Sequence, residues 1–270
     1  MTQASVLYEV NDGVAIVTLN EAERMNALSE SLQAGLLDAM DRIRADTSVR
    51  AMLFTARGRG FCSGADLKDF SQRSAELQPG DSLGAYVGRM METTGNPIAN
   101  GLATMPVPVV CAVNGAAAGG GFGLALACDI VIAARSAIFY LPFVPALGVV
   151  PDMGATWTLL RSVGRARGMG LALCGDKLSA DKAAEWGMIW ASVADDELQA
   201  EAMRVARRMA ALPGHAIDET RALFDAAETN TFAEHLELER QRQQVLIDGE
   251  SFGEGVRAFV ERRKPVFRGR

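Results

Sequence analysis

The chain has 270 residues, 49% of them hydrophobic, and carries 27 Lys and Arg against 33 Asp and Glu for a net charge of −6. That length fits one large domain or a core with an appendage, and the acidic balance argues against a nucleic-acid partner. No run of about 18 apolar residues appears, so no membrane span is expected. No basic-then-apolar leader opens the chain, so a cytoplasmic protein is expected.

In chain order, Val14–Leu19 reads as a β-branched strand. Ser29 is placed to cap a helix running to about Arg44, with Leu32, Leu36, Met40 and Ile43 on one apolar face. Val49 to Ala56 reads as the next strand, and the loop Arg57–Gly60 leads into Phe61-Cys62-Ser63-Gly64-Ala65-Asp66-Leu67. Ser71 to Gly84 is polar and poorly patterned, the pattern of a mobile or variable segment, and a helix follows through Met90 and Met91. A strand over Val107–Val113 runs into a glycine-rich turn, a helix to about Ala127 and a strand over Ile130–Ala133. Ser179 starts a short helix that Gly187 ends, and Ile189–Ala191 resumes a strand. The recurring order of strand, strand or turn, and helix predicts an α/β fold with parallel crossovers. After Glu197 the strands stop. Residues 1–196 are read as the core. Residues 197–270 are read as a helical region with helices over Glu197–Leu212, Ile217–Ala227 and Phe232–Ile247. A last helix opens on the capping-box pattern Ser251-Phe252-Gly253-Glu254.

Cys62, Cys111, Cys128 and Cys174 form no C-x-x-C pair and read as reduced, buried thiols. His215 and His235 lie in the helical region and read as ordinary helix residues. No cluster of ligand types predicts a metal site, and no Gly-x-Ser-x-Gly nucleophile elbow is present. The turn Asn114 to Gly121 lacks both the G-x-G-x-x-G spacing and the Gly-Lys-Ser/Thr ending of phosphate loops. Its glycines leave backbone N–H groups open to a ligand at a helix start, or make a tight strand-to-helix turn. Asp152, in Val149-Val150-Pro151-Asp152-Met153-Gly154, has two readings. It is a helix N-cap, or a general base in an apolar pocket walled by Val149, Val150 and Phe143, where burial raises its pKa from about 3.9. Asp66 and Asp129 read as residues that hold loop and strand ends.

Phe61–Leu67, then Asn114–Gly121 with Cys128-Asp129, then the ending Val256–Phe267, resemble the crotonase (enoyl-CoA hydratase/isomerase) superfamily over nearly the whole chain. The resemblance implies a spiral of ββα units followed by a helical trimerisation region, in a homotrimer or dimer of trimers. It implies an acyl-CoA thioester as substrate, with coenzyme A part of the substrate and no other cofactor. The thioester carbonyl would sit between the N–H groups of Ala65 and Gly120. Arg24, Ala27, Ser63, Asp66, Leu67, Lys68 and Phe143 would line the coenzyme A or acyl site, with Ala116–Ala118 and the segment 71–101 shaping the acyl pocket. The basic ending Glu261–Arg270 would reach the coenzyme A of a neighbouring subunit. The two glutamates that activate water in hydratases would fall at Gly123 and Phe143, where this chain has no carboxylate. Pro151-Asp152-Met153-Gly154 matches the single-carboxylate loop of isomerase members. The resemblance therefore implies an isomerase that shifts a proton and double bond, or an epoxide to an oxepin, with Asp152 as base. The alternatives are an Asp152 nucleophile in a dehalogenase-like or hydrolytic member, a hydratase, and a non-catalytic acyl-CoA binder.

Overall fold

The computed structural model describes residues 4–78 and 80–269. β1 (Val6–Asn11) and β2 (Val14–Leu19) form an antiparallel hairpin. Its turn residues Asp12 and Gly13 both have positive φ, which the Asp-Gly pair accommodates and the strand twist favours. Ser29 caps α1 (Glu30–Ala45) by accepting the Leu32 N–H. There follow β3 (Ala51–Ala56), β4 (Gly60–Cys62), α2 (Leu67–Glu76), α3 (Leu83–Met90), a π-helical turn over Met91–Gly95 and α4 (Asn96–Ala103). Next come β5 (Val109–Val113), β6 (Ala116–Ala118), α5 (Gly120–Leu126), β7 (Ile130–Ala134) and β8 (Ile138–Tyr140). A second π-helical turn over Phe143–Leu147 precedes α6 (Ala155–Cys174), which is kinked at Gly164. The chain then forms β9 (Leu178–Ser179), α7 (Ala180–Glu185), β10 (Ala191–Val193), α8 (Leu198–Ala210), α9 (Gly214–Ala227), α10 (Phe232–Ile247) and α11 (Glu250–Val260).

The strands make two sheets, ordered β1-β2-β3-β5-β7-β10 and β4-β6-β8-β9. From β2 to β10 the larger sheet is parallel. Three times a strand of the larger sheet is followed by one of the smaller and then by helix: β3–β4–α2, β5–β6–α5 and β7–β8–α6. This is the expected α/β spiral of ββα units. β3 and β5 are buried along their whole length, as parallel strands covered on both faces must be. Edge-to-face pairs Phe54–Phe61 and Phe122–Phe139, with centroids 5.2 and 6.0 Å apart, join the core across β3–β4 and α5–β8.

Several expectations are corrected. The segment 71–84, expected to be mobile or variable, includes the end of α2, which continues to Glu76, and the start of α3 at Leu83. α2 buries no residue, so it shows no apolar stripe in the sequence. Pro79 and Arg270, which belong to that segment and to the basic ending, lie outside the described residues. Ala116–Ala118 are not in the pocket wall but form β6, between β4 and β8. The Ser251–Glu254 pattern does not cap α11, which starts earlier, at Glu250 after Gly249. Glu254 instead takes Arg263 and the Val266 N–H. The capping box is at Thr231–Glu234, on α10. Cys62, Cys111 and Cys128 are buried, but Cys174, at the end of α6, is exposed.

Candidate active site

Two loops that are distant in sequence meet at the ends of β4 and β6. The loop after β4 is pinned by Ser63 N–H to the Met25 carbonyl and by the Gly64 carbonyl to Leu28 N–H. Gly64 has φ +84 and lies so close to the second loop that a Cβ on it would stand 2.9 Å from Gly120 N and 2.8 Å from the Ala118 carbonyl oxygen. Only glycine meets both demands. Ala65 follows directly. Gly120 is the first residue of α5, where an N–H has no intrahelical acceptor. Gly120 has no side chain, and Ala65 has only a methyl group.

A cavity with a volume of about 120 Å³ is lined by both Ala65 and Gly120. Ser63, Leu67 and Phe143 also line it, as do Phe70 of α2, Val87 and Met90 of α3, and Met91 and Gly95 of the first π-helical turn. Leu147 of the second π-helical turn, Leu28, Gln33 and Met153 line it too. The segment 71–101 supplies Val87, Met90, Met91 and Gly95. Asp152 is the only charged residue in the lining among the described residues. It is half-buried, and its Oδ1 is buried without a hydrogen-bond partner. A Cβ on Gly120 would stand 3.9 Å from that oxygen. Burial pushes the Asp152 carboxyl up from its ordinary value, since a low-polarity surrounding penalises the charged form.

The N-cap reading of Asp152 is overturned. α6 is preceded by Gly154 with no side-chain cap, and Asp152 offers only its main-chain carbonyl, to Ala155 N–H. Met153 and Gly154, between Asp152 and the helix, both have positive φ, +51 and +76. For Met153 that conformation costs about 1–2 kcal/mol. Val149 and Val150 are not walls either. Val150 is 77% exposed and Val149 half exposed, while Phe143 is buried against the cavity.

At Gly123 there is no room for any side chain. A Cβ would stand 2.5 Å from the Met153 carbonyl oxygen and 2.6 Å from the Met153 Cβ. Neither position at which a hydratase glutamate was sought can supply a carboxylate.

A second, polar cleft of about 520 Å³ shares Leu28, Gln33, Phe70 and Met90 with the first cavity and carries Arg24, Glu30, Asp66, Asp69 and Arg73. Asp66 caps α2 through the N–H groups of Lys68 and Asp69 and pairs with Arg24 at 2.5 Å. The guanidinium holds the Asp66 carboxyl below the usual carboxylate range. Arg24 also meets Asp69 at 3.2 Å. Lys68 is exposed and lines neither space, and Ala27 is buried with its N–H donated to the Arg24 carbonyl. Asp129 holds strand ends as expected, accepting from Val109 N–H and from Arg221 of α9. No group of three or more metal-ligand side chains occurs among the described residues.

Sequence reasoning missed Met153, Leu28 and Gln33, which reach the site only through packing. Val87, Met90 and Met91 were legible as an apolar i, i+3, i+4 set, but without an assigned place.

The family described as enoyl-CoA hydratase/isomerase matches residues 9–270. The chain is 44% identical, over 98% of each sequence, to the 1,2-epoxyphenylacetyl-CoA isomerase of Escherichia coli (strain K12). It is 39% identical, over the full length of both, to a "probable enoyl-CoA hydratase" of Rhodobacter capsulatus. The crystal structure of an enoyl-CoA hydratase from Polaromonas sp. JS666 superposes with a TM-score of 0.88 at 30% identity, covering 97% of this chain and 99% of that one. The protein belongs to the enoyl-CoA hydratase/isomerase family, a crotonase-superfamily enzyme class acting on acyl-CoA thioesters.

Proposed function

We propose that the protein is an acyl-CoA isomerase that moves a proton within an enoyl- or aryl-acetyl-CoA thioester, shifting a double bond or converting a ring epoxide to its isomeric oxepin. The observation that carries this reading is the unpartnered Asp152 Oδ1, the one charge in an apolar cavity, placed beside Gly120. The thioester carbonyl lies between the N–H groups of Ala65 and Gly120. Asp152 takes a proton from carbon, and the electron pair moves onto the carbonyl oxygen. The same carboxyl returns the proton at another carbon, so nothing is consumed. Each preorganised N–H donor to the enolate oxygen is worth about 3–4 kcal/mol. A carboxyl with a raised pKa suits a group that must both accept and release a proton.

The blocked position at Gly123 favours this chemistry over addition of water, which needs a second group to orient the water. The cavity of about 120 Å³ is near the size of the roughly 150 Å³ apolar cavity that takes up benzene. That fits a short enoyl chain or a single ring, and the 44% identity to the E. coli isomerase supports the latter. The polar cleft with Arg24 and Asp66 is assigned to coenzyme A, and the apolar faces of α9–α11 to a trimer.

The test is incubation in deuterated water with 2-enoyl, 3-enoyl and aryl-acetyl CoA thioesters, followed by the position of label and double bond. Asp152→Asn is expected to bind thioester as the parent does and to lose turnover about 10²–10⁴-fold. Turnover unchanged in that variant overturns the assignment.

A further inference from the structure

We propose that Met153 is a positioning residue that seats the Asp152 carboxylate in the cavity and fills the space in which a second carboxylate or a water would stand. The inference rests on the reading of Asp152 as the base. Three glycines, Gly95 of the first π-helical turn and Gly120 and Gly123 of α5, leave room for this one residue. A Cβ on Gly95 would lie 3.3 Å from the Met153 Sδ, and one on Gly120 would lie 3.4 Å from its Cγ. A Cβ on Gly123 would meet the Met153 Cβ and carbonyl oxygen at 2.6 and 2.5 Å. Met153 is buried, and yet it holds φ +51, a conformation uncommon for a long side chain. Such a conformation persists only where the surroundings over-determine it. Here Met153 packs between the first π-helical turn and one face of the α5 start, which fixes the residue that follows Asp152.

The Met153 Cγ and the buried Asp152 Oδ1 both border the space beside Gly120. Gly95, Gly120 and Asp152 all line the same cavity, and Met153 closes the side of it that faces Gly123. An apolar, flexible thioether is suited to fill such an irregular gap. Removing it opens a water-sized space against the base without touching the two backbone N–H groups.

The test compares Met153→Gly with Met153→Leu in the full chain. Glycine suits φ +51, so the first variant loses the side chain and not the turn. Expected for Met153→Gly is a kcat lowered about tenfold or more, in line with the cost of a displaced catalytic group, with KM within threefold of the parent. The acid limb of the pH–kcat profile moves to lower pH as the carboxyl becomes hydrated. In deuterated water, more label enters product per turnover, because the transferred proton now exchanges with solvent before it is returned. Met153→Leu restores kcat, acid limb and label toward the parent. A purely structural role would shift the melting temperature and leave the acid limb and the label alone. The inference is overturned if Met153→Gly keeps the parent's kcat, acid limb and label, or if Met153→Leu is as impaired as Met153→Gly. Turnover retained by Asp152→Asn would instead overturn the underlying reading of the base, so the two failures are distinguishable.

Discussion

The central strands and the last three helices handle apolar side chains in opposite ways. β3 and β5 bury every residue they contain. α9 and α10 bury none fully, α11 only Ala258, and Phe224, Phe232 and Phe259 are 76%, 79% and 85% exposed. The spiral is therefore stabilised within the chain, at roughly 25 cal/mol for each Å² of apolar surface removed from water. The tail leaves apolar side chains exposed, and these are the ones the proposed trimer would cover. Arg221 of α9 pins the two regions together, reaching Asp129 and the carbonyls of Met105 and Val107. The core also contains the opposite anomaly, one carboxylate that its burial does not pair.

Substitutions can break or sharpen this contrast, and the largest effect is expected at the anomaly. Asp152→Asn should lower kcat by about 10²–10⁴-fold, measured with thioester substrates under saturation. Next, Phe54→Ala should destabilise the chain by about 3–5 kcal/mol in denaturant unfolding, since Phe54 is fully buried against Phe61. An effect below 1 kcal/mol would show that the core is not the closed unit described. Arg221→Ala should cost about 1.5–3 kcal/mol by removing one of the donors to Asp129 and the Arg221 donor to two carbonyls, and should raise hydrogen exchange in α9 before the core strands. A smaller effect follows from the sign of the Asp152 shift. Its folded pKa is raised, so the stability it contributes is complete below its ordinary value of about 3.9 and is lost as pH rises through the folded value. Asp152→Asn should therefore gain melting temperature relative to the parent as pH rises, and the difference should narrow toward acid. The smallest effect on the protomer is expected for Phe259→Ser, within about 0.5 kcal/mol. Its consequence should appear in the molecular mass by sedimentation, as weakened self-association.

Much of the fold was legible in the sequence because its signals are local. Ser29 specifies a helix start, and the apolar runs of β3 and β5 specify strands of a parallel sheet. The same local signals misled where another contact prevailed. Ser251 and Glu254 have the spacing of a cap, but Arg263 and the Val266 N–H take Glu254. α2 has no buried face to impose a period, and β6 is only three alanines, too short to pattern.

The sequence by itself determined the family, the two glycine loops and the absence of a carboxylate at Gly123 and Phe143, since each is a matter of residue type in order. It left Asp152 as a cap or a base. Only the tertiary structure decided that its side chain caps nothing, that Val149 and Val150 face solvent, and that Met153 occupies the space beside Gly123. Those outcomes depend on segments far apart in the chain coming within van der Waals contact, where a few tenths of an ångström determine which side chain fits. No pattern along the chain encodes such distances.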